Sequence, residues 1–217
     1  ILVTPDSERT MLTHLGISSS IHRDNVDETI VKNSKLVYIE GYLWMEEETR
    51  HAALKMAAIA KKEGIPVAFT LSDAFVIDQH QETLVDFIRW NVDILFCNEV
   101  EGLALIKNSD PKICFAEMRG MAGTVFMTRG SQGAWAGNSD NGKVSVDVFP
   151  VKVVDTTGAG DLFAAGALYG LLKKHDLRES AIIGSYCAGQ VVTHMGGRMP
   201  VHAHTDVQKI LQSYNGA

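Results

Sequence analysis

The order of apolar and amphipathic segments is the feature that most limits what this chain can fold into. Short apolar runs alternate with longer segments of helical periodicity, which predicts β-α units around a parallel sheet with helices on both faces. Two further short strands, around GAWAG and KVSVDVFPV, resemble a meander. The fold class is therefore α/β. The predicted strands are 35–43, 65–72, 92–98 and 123–130, and the predicted helices are 46–64, 81–90, 99–107, 160–175, 179–195 and roughly 205–214.

Composition and charge narrow the class of partner. The 217 residues are 46% hydrophobic and carry a formal net charge of −6, which is typical of one globular domain with a well-formed core. Lysine and arginine form no run, so binding to a nucleic acid backbone is not expected. No apolar stretch approaches the roughly 20 residues that span a bilayer. We therefore expect a cytoplasmic protein that acts on a small molecule, with neither nucleic acid nor membrane as partner.

Polar residues stand at the ends of the predicted strands. In an open parallel sheet, ligands bind beyond the carboxyl ends of the strands. Residues that begin loops are polar in any case, so this row indicates a site only where chemistry supports it. The four strand-end residues are Glu40, Ser72, Asn98 and Thr128.

The stretch DTTGAGDLFAAGALYGLL, residues 155–172, changes from polar and glycine-spaced to apolar and helical without a linker. It matches neither the P-loop pattern nor the dinucleotide fingerprint, since Phe163 stands where the latter needs its third glycine. Small residues at a helix N-terminus leave backbone N–H groups that favour an anion. Gly158-Ala159-Gly160 is thus predicted to hold a phosphoryl group. Asp161 has two interpretations, a capping carboxylate or the base that accepts a hydroxyl proton during phosphoryl transfer.

Two further patterns fit the same chemistry. TRGSQG, residues 128–133, is either a glycine-spaced turn that allows close approach to phosphate or an ordinary turn into the next strand. Arg129 within it is either a phosphate contact or a solvated side chain. Asn98 and Glu101 lie three residues apart across a strand end and a first helical turn, so both are expected to face one site. Oxygen ligands of this kind suit hydrated Mg²⁺.

Taken together, NEVE (98–101), TRGSQG (128–133) and DTTGAGD (155–161) resemble the ribokinase or PfkB carbohydrate kinase family, and TPDSERTM, YIEGYLW and FTLSDAF are similar to its bacterial adenosine kinase-like branch. The resemblance implies a three-layer α/β fold with a mostly parallel sheet flanked by helices and an incomplete small β lid. Residues 1–217 are expected to be a kinase domain that lacks its N-terminal, substrate-binding portion. Residues 1–20 would be lid or sheet-edge strands, and residues 98–200 the nucleotide-binding and catalytic portion.

The resemblance also implies roles for single residues. Asp161 would be the general base that activates the acceptor hydroxyl, and the amides of three residues would form the anion hole: Gly158, Ala159 and Gly160. The nucleotide would be bound by Thr128, Gly130, Gly133 and Asn98.

The remaining roles concern cations and the acceptor. The resemblance implies that Glu101 and Asn98 organise Mg²⁺. It also implies a monovalent-cation site, for K⁺, made by Asp155, the Thr157 carbonyl and Gly196. Glu40 matches an acid that contacts the substrate in some members of the family.

The implied function is ATP-dependent phosphorylation of a primary hydroxyl on a nucleoside or sugar. Resemblance to the adenosine kinase-like branch favours adenosine or a related ribonucleoside, while relatives with the same signature also phosphorylate ribose, fructose and other sugars. The alternative is a catalytically inactive nucleotide-binding or sensor protein of the same fold. Asp161 argues against that alternative, because a binding module gains little from a carboxylate next to an anion hole. Homodimerisation through the lid, a habit of the family, is a further expectation.

Overall fold

The structure is a computed structural model that describes residues 1–4, 9–139, 142–199 and 206–215 of the chain. Short 3₁₀ helices, among them Gly16–Ser20 and Gly41–Met45, lie between the longer elements. The strands are β1 Leu2–Val3, β2 Arg9–Thr10, β3 Val37–Glu40, β4 Val67–Thr70, β5 Ile94–Asn98, β6 Thr124–Thr128, β7 Ala134–Asn138 and β8 Gly142–Val146. The α-helices are α1 Glu28–Lys32, α2 Glu47–Lys62, α3 Ala74–Asn91, α4 Glu99–Ile106, α5 Pro111–Arg119, α6 Ala159–Leu172, α7 Leu177–Val191 and α8 Val207–Asn215.

Strands β3 to β8 form one sheet in the order β3-β4-β5-β6-β7-β8. β4 runs parallel to both β3 and β5, with Phe69 opposite Ile39 on one side and Leu95 on the other. Every residue of β5 is buried except the last, Asn98. Continuous burial of this kind arises when helices cover both faces of a parallel sheet. The predicted α/β class, with a mostly parallel sheet flanked by helices, is confirmed.

The described residues divide into two compact units. The first unit comprises residues 14–127, 137–139 and 142, and the second comprises residues 1–4, 9–13, 128–136, 143–199 and 206–215. In the core of the first unit, the rings of Trp44, Phe69 and Phe87 meet edge to face at centroid distances of 4.6 to 5.3 Å. Aromatic rings favour this arrangement because of their quadrupoles. Trp44 is therefore a packing residue of the core.

Helices α6 and α7 of the second unit pack backbone against backbone. A Cβ atom added to Gly166 would lie 2.8 Å from the Ile183 carbonyl oxygen. One added to Gly170 would lie 2.8 Å from the Cα of Ser180. Because neither position has room for a side chain, small residues four apart on α6 set the close approach of the two helices. The start of α6 is thereby held on a rigid helical pair.

The strand and helix predictions hold with differences that have local causes. Helix α3 begins at Ala74, before the predicted 81–90, because the Asp73 carboxylate accepts the Phe75 N–H at 3.0 Å and caps it. A kink at His80 (φ −131°, ψ 17°) marks the point where the predicted segment starts. Helix α5 was not predicted at all. Strand β4 ends at Thr70, and Ser72, the predicted strand end, adopts a left-handed conformation (φ 71°).

The N-terminal residues 1–20 contain the antiparallel pair β1–β2 and the 3₁₀ helix Gly16–Ser20. Their role as a lid stays a prediction, as do the domain limits. Positions 5–8 of this range, positions 140, 141 and 200 of the predicted catalytic portion 98–200, and position 205 of the last predicted helix lie outside the described residues. None of the helices in the described part of the chain combines the length and apolarity that crossing a membrane requires.

Candidate active site

The polar stretch before α6 folds into a turn that leaves the helix without a side-chain cap. Gly158 is the N-cap residue, with φ 80° and ψ 3°, and within the described part of the chain no side chain accepts a hydrogen bond from the first helical turn. The Ala159 N–H donates to the Thr156 carbonyl at 3.2 Å, and the Leu162 N–H donates to the Gly158 carbonyl at 2.9 Å. The predicted anion hole therefore has one amide, that of Ala159, which is engaged within the turn.

Gly158 and Gly160 are glycines for different reasons. A Cβ atom on Gly158 would lie 2.8 Å from the Cα and 3.1 Å from the carbonyl oxygen of Gly197, so two backbone segments touch here. Its positive φ adds a conformational requirement for glycine. A Cβ atom on Gly160 would meet no atom within 4 Å. Packing thus accounts for Gly158, whereas the open space at Gly160 is what the approach of a ligand to the helix N-terminus needs.

Asp161 lies in the first turn of α6 and is exposed. Among the described residues, its carboxylate accepts no hydrogen bond from the start of the helix, so no contact supports the capping interpretation. An accessible carboxylate beside backbone N–H groups is placed to accept a proton from a hydroxyl while the amides hold an anion. The structure brings these groups together as the sequence predicted, and the catalytic role itself remains a prediction.

Asp155 is a buried carboxylate that joins two segments of the chain. It is only 2% exposed. Its Oδ1 accepts the Thr157 N–H at 2.9 Å and the Thr157 hydroxyl at 2.7 Å, and its Oδ2 accepts the Gly196 N–H at 2.8 Å. The three residues of the predicted monovalent-cation site are thus neighbours. The contacts that unite them are hydrogen bonds, so Asp155 has a structural role whether or not a cation binds.

The turn of residues 128–133 is closed by its own backbone. The Arg129 N–H donates to the Gly133 carbonyl at 2.8 Å, and the Gly133 N–H donates to the Gly130 carbonyl at 3.2 Å. A Cβ atom on Gly133 (φ 80°) would lie 2.0 Å from the Val146 carbonyl oxygen, so contact with β8 requires this glycine. Around Gly130 there is open space. Of the predicted nucleotide-binding glycines in this turn, Gly130 is the one that packing leaves unexplained.

Asn98 and Glu101 bind each other across the start of α4. The Glu101 N–H donates to Asn98 Oδ1 at 2.8 Å, while the Asn98 N–H and side-chain amide donate to the two carboxylate oxygens of Glu101 at 2.9 and 2.7 Å. Burial raises the pKa of Glu101 to about 7, against the lowering effect of the Asn98 backbone bond, and the charge of Asp73 raises it further. Such oxygen donors are the kind that Mg²⁺ takes, and a divalent ion would favour the ionised carboxylate.

The described residues include no group of three or more His, Cys, Asp or Glu side chains that could hold a metal ion. Mg²⁺ commonly keeps several waters and binds through one or two carboxylates together with substrate phosphates. The donor set at Asn98 and Glu101 therefore fits an ion that arrives with a nucleotide, and does not fit a permanently bound structural metal.

Glu40 occupies the carboxyl end of β3, opposite Thr70 of β4, and is exposed. Because β3, β4 and β5 are parallel, Glu40 and Asn98 lie at the same edge of the sheet. This is the edge where ligands of open α/β sheets bind. The location agrees with the predicted substrate contact, which stays a prediction.

One group of residues near the turn was not singled out as a unit by the sequence. The guanidinium carbon of Arg129 and the ammonium nitrogen of Lys143 lie 4.0 and 3.8 Å from the ring centroid of Trp135. The three residues belong to the turn, to β7 and to β8, which are brought together by strand pairing. The sequence could not predict this grouping, because it depends on the register of β7 with β8 and not on a fixed spacing of residues.

Comparisons with known proteins bear on these features. A family model described as pfkB family carbohydrate kinase matches residues 1–204. The 5-dehydro-2-deoxygluconokinase of Clostridium beijerinckii is 26% identical over 205 residues, which cover 88% of this chain and 59% of that protein.

Solved structures show the same architecture. The adenosine kinase from Sinorhizobium meliloti is 32% identical with a TM-score of 0.90, over 97% of this chain and 64% of that one. An E. coli protein assigned as ribokinase II, in complex with ATP and Mg²⁺, is 24% identical with a TM-score of 0.79, over 91% of this chain and 64% of that one. The chain thus spans 59 to 64% of the length of these proteins.

Proposed function

The chain belongs to the pfkB family of carbohydrate kinases, and from this premise we propose that it transfers the γ-phosphoryl group of ATP to a primary hydroxyl of a nucleoside or sugar. The observation that carries the proposal is the uncapped N-terminus of α6, where exposed Asp161 stands next to the open space at Gly160. A base beside an anion-binding helix N-terminus is what phosphoryl transfer to an alcohol requires.

In this proposal, each group of the site has one task. The Asp161 carboxylate accepts the proton of the acceptor hydroxyl, and the backbone N–H groups of Gly158 and Gly160 hold the transferred phosphoryl group. The turn that contains Thr128 and Gly130 contacts the phosphates of ATP. Mg²⁺ near Glu101 would neutralise phosphate charge. Catalysis of this type consists mostly of positioning and electrostatic stabilisation.

The hydrogen bonds of Asp155 to Thr157 and Gly196, here called the Asp155 clamp, contribute to catalysis in this proposal because they fix the turn before α6. They hold the chain just before Gly158 in place. A cation such as K⁺, which we keep as a proposal, would be favoured beside this buried carboxylate, because an opposite charge offsets its desolvation.

The acceptor is proposed by class. Similarity to the S. meliloti adenosine kinase at 32% identity supports a ribonucleoside, while similarity to a 5-dehydro-2-deoxygluconokinase at 26% supports a sugar-type acceptor. We propose an adenosine-like nucleoside as the first acceptor to test, with sugars as the comparison.

The experiment measures ATP consumption by the full-length protein with adenosine, inosine, ribose and fructose, alongside Asp161→Asn. We expect turnover on one acceptor and a loss of about 10²- to 10⁴-fold in the variant, since that is what a general base contributes. ATP affinity should be retained. Asp86→Asn, which removes an exposed carboxylate on α3, is the matched control and should be fully active.

Two outcomes would change the proposal. Undiminished turnover by Asp161→Asn would refute the assignment of the base. ATP binding without turnover on any acceptor would favour the second candidate, an inactive nucleotide-binding or sensor protein of the same fold. A homodimer, a cytoplasmic location and the absence of nucleic acid or membrane partners stay predictions.

A further inference from the structure

Trp135 packs against two cationic side chains next to the turn of residues 128–133. The Arg129 guanidinium and the Lys143 ammonium lie 4.0 and 3.8 Å from its ring centroid, well within the roughly 6 Å of a cation–π contact. Trp135 is only 6% exposed, so its surroundings fix the indole, whereas Lys143 is exposed. A buried aromatic surface therefore holds two cationic side chains.

The backbone of Arg129 is fixed as well. Its N–H donates to the Gly133 carbonyl at 2.8 Å, and its own carbonyl accepts the Gln132 N–H at 3.0 Å. The contact with the indole restricts the side chain in addition. An arginine side chain normally loses rotamer entropy when it binds an anion. Because contact with Trp135 already orders the Arg129 side chain before binding, less entropy is lost when the anion binds.

The turn of residues 128–133 has a local positive charge, whereas the chain as a whole is negatively charged. The formal net charge is −6, yet two cations share one indole beside a glycine turn. A planar guanidinium binds phosphate oxygens in pairs, and an ammonium adds a second positive charge. A ligand with several phosphates gains from both cations, whereas a ligand with one phosphate gains less.

We propose that Trp135 is a positioning residue that holds Arg129 and Lys143 for the terminal phosphates of the bound nucleotide. The three residues thereby set the preference for ATP over AMP. The inference rests on the proposed function and adds to it the side chains that distinguish the number of phosphates.

The test is a calorimetric titration of the full-length protein with ATP and with AMP. We expect Trp135→Leu to weaken ATP binding about five- to thirtyfold. This factor corresponds to the conformational entropy that one long side chain loses when it becomes ordered on binding. AMP affinity should stay within about twofold. Trp135→Phe keeps an aromatic face and should restore most of the ATP affinity. Lys112→Gln removes an exposed charge on α5 and should change neither affinity.

A double-mutant cycle shows whether Trp135 acts through Arg129. If it does, Trp135→Leu should cost clearly less ATP affinity in the Arg129→Gln background than in the wild type, the remaining loss being that of Lys143. Additive losses, or equal losses for ATP and AMP, would overturn the positioning role. Should Trp135→Leu fail to fold, Lys143→Gln at an exposed position carries the same test, with ATP affinity reduced and AMP affinity kept.

The outcomes separate this inference from the function on which it rests. Normal ATP binding and turnover in the wild type, with unchanged ATP affinity in the variants, would refute the role of Trp135 and leave the kinase proposal standing. A wild-type protein that binds no nucleotide would refute both.

Discussion

Replacement of Gly158 and of Gly160 by alanine should have opposite effects, although the two positions are separated by a single residue. At Gly158, an alanine must adopt φ 80° and place its Cβ 2.8 Å from the Gly197 Cα. A left-handed L-residue costs about 1–2 kcal/mol, and overpacking against backbone costs about 1–3 kcal/mol. The free energy of unfolding should therefore fall by roughly 2–5 kcal/mol, which lowers the melting temperature by roughly 4–20 °C for a chain of this size.

At Gly160, the same change should leave stability unchanged or improve it. No atom lies within 4 Å of the added methyl group, and alanine in a helix is favoured over glycine by up to about 1 kcal/mol. The methyl group does occupy the space through which we propose that the phosphoryl group approaches. Loss of one such anion-hole interaction costs about 10²- to 10³-fold in turnover, so Gly160→Ala should be stable and nearly inactive.

Both variants are assayed by thermal and urea unfolding and by ATP turnover with the preferred acceptor. Gly160→Ala should melt at or slightly above the melting temperature of the wild type, and Gly158→Ala should melt below it. A Gly158→Ala protein with wild-type stability would refute the packing argument. A fully active Gly160→Ala protein would refute the placement of the phosphoryl group at this helix start.

Three further predictions concern stability. Asp155→Ala removes the acceptor of three part-buried hydrogen bonds and should lower the free energy of unfolding by about 2–4 kcal/mol, because a hydrogen bond to a charged group contributes about 1.5–3 kcal/mol and water replaces part of it at these donors. Asp155→Asn, which keeps one oxygen, should lower it less in urea titrations. The pKa of Glu101 is raised by burial from 4.5 to about 7, so its stabilising contribution is fully present below pH 4.5 and is lost as pH rises through 7. The free energy of unfolding should fall by about 3 kcal/mol across that window, and Glu101→Gln should flatten the pH profile. Gly170→Ala, whose Cβ would lie 2.8 Å from the Ser180 Cα, should destabilise the protein by about 1–3 kcal/mol, with a lower calorimetric melting temperature and unchanged secondary structure as the signature.

The sequence predicted the features that depend on local pattern. Apolar runs and helical periodicity located the strands of the parallel sheet and the long helices, because those signals lie within one element. The start of α3 and the whole of α5 were missed although Asp73 and Asp110 cap them, since a single capping residue without a strong apolar period is a weak signal.

Features that join distant residues were beyond the sequence. The clamp from Asp155 to Gly196 spans 41 positions, and the need for glycine at 133 arises only from contact with Val146 on another strand. The cations on Trp135 depend likewise on strand pairing. Sequence motifs marked these glycines as a group, but only packing shows which of them the fold requires and which have open space around them.

The close packing of α6 against α7 has a consequence for the order in which the protein folds. The two helices are consecutive, and the residues that touch, such as Gly170 and Ser180, are near neighbours in the chain. Contacts of this kind require little loop closure, and helical hairpins rich in them form early. The Asp155–Gly196 clamp closes a far longer loop. We expect the helical pair to form first. The turn before α6 should then adopt its native conformation next to the packed helices, when the hydrogen bond from Gly196 to Asp155 forms.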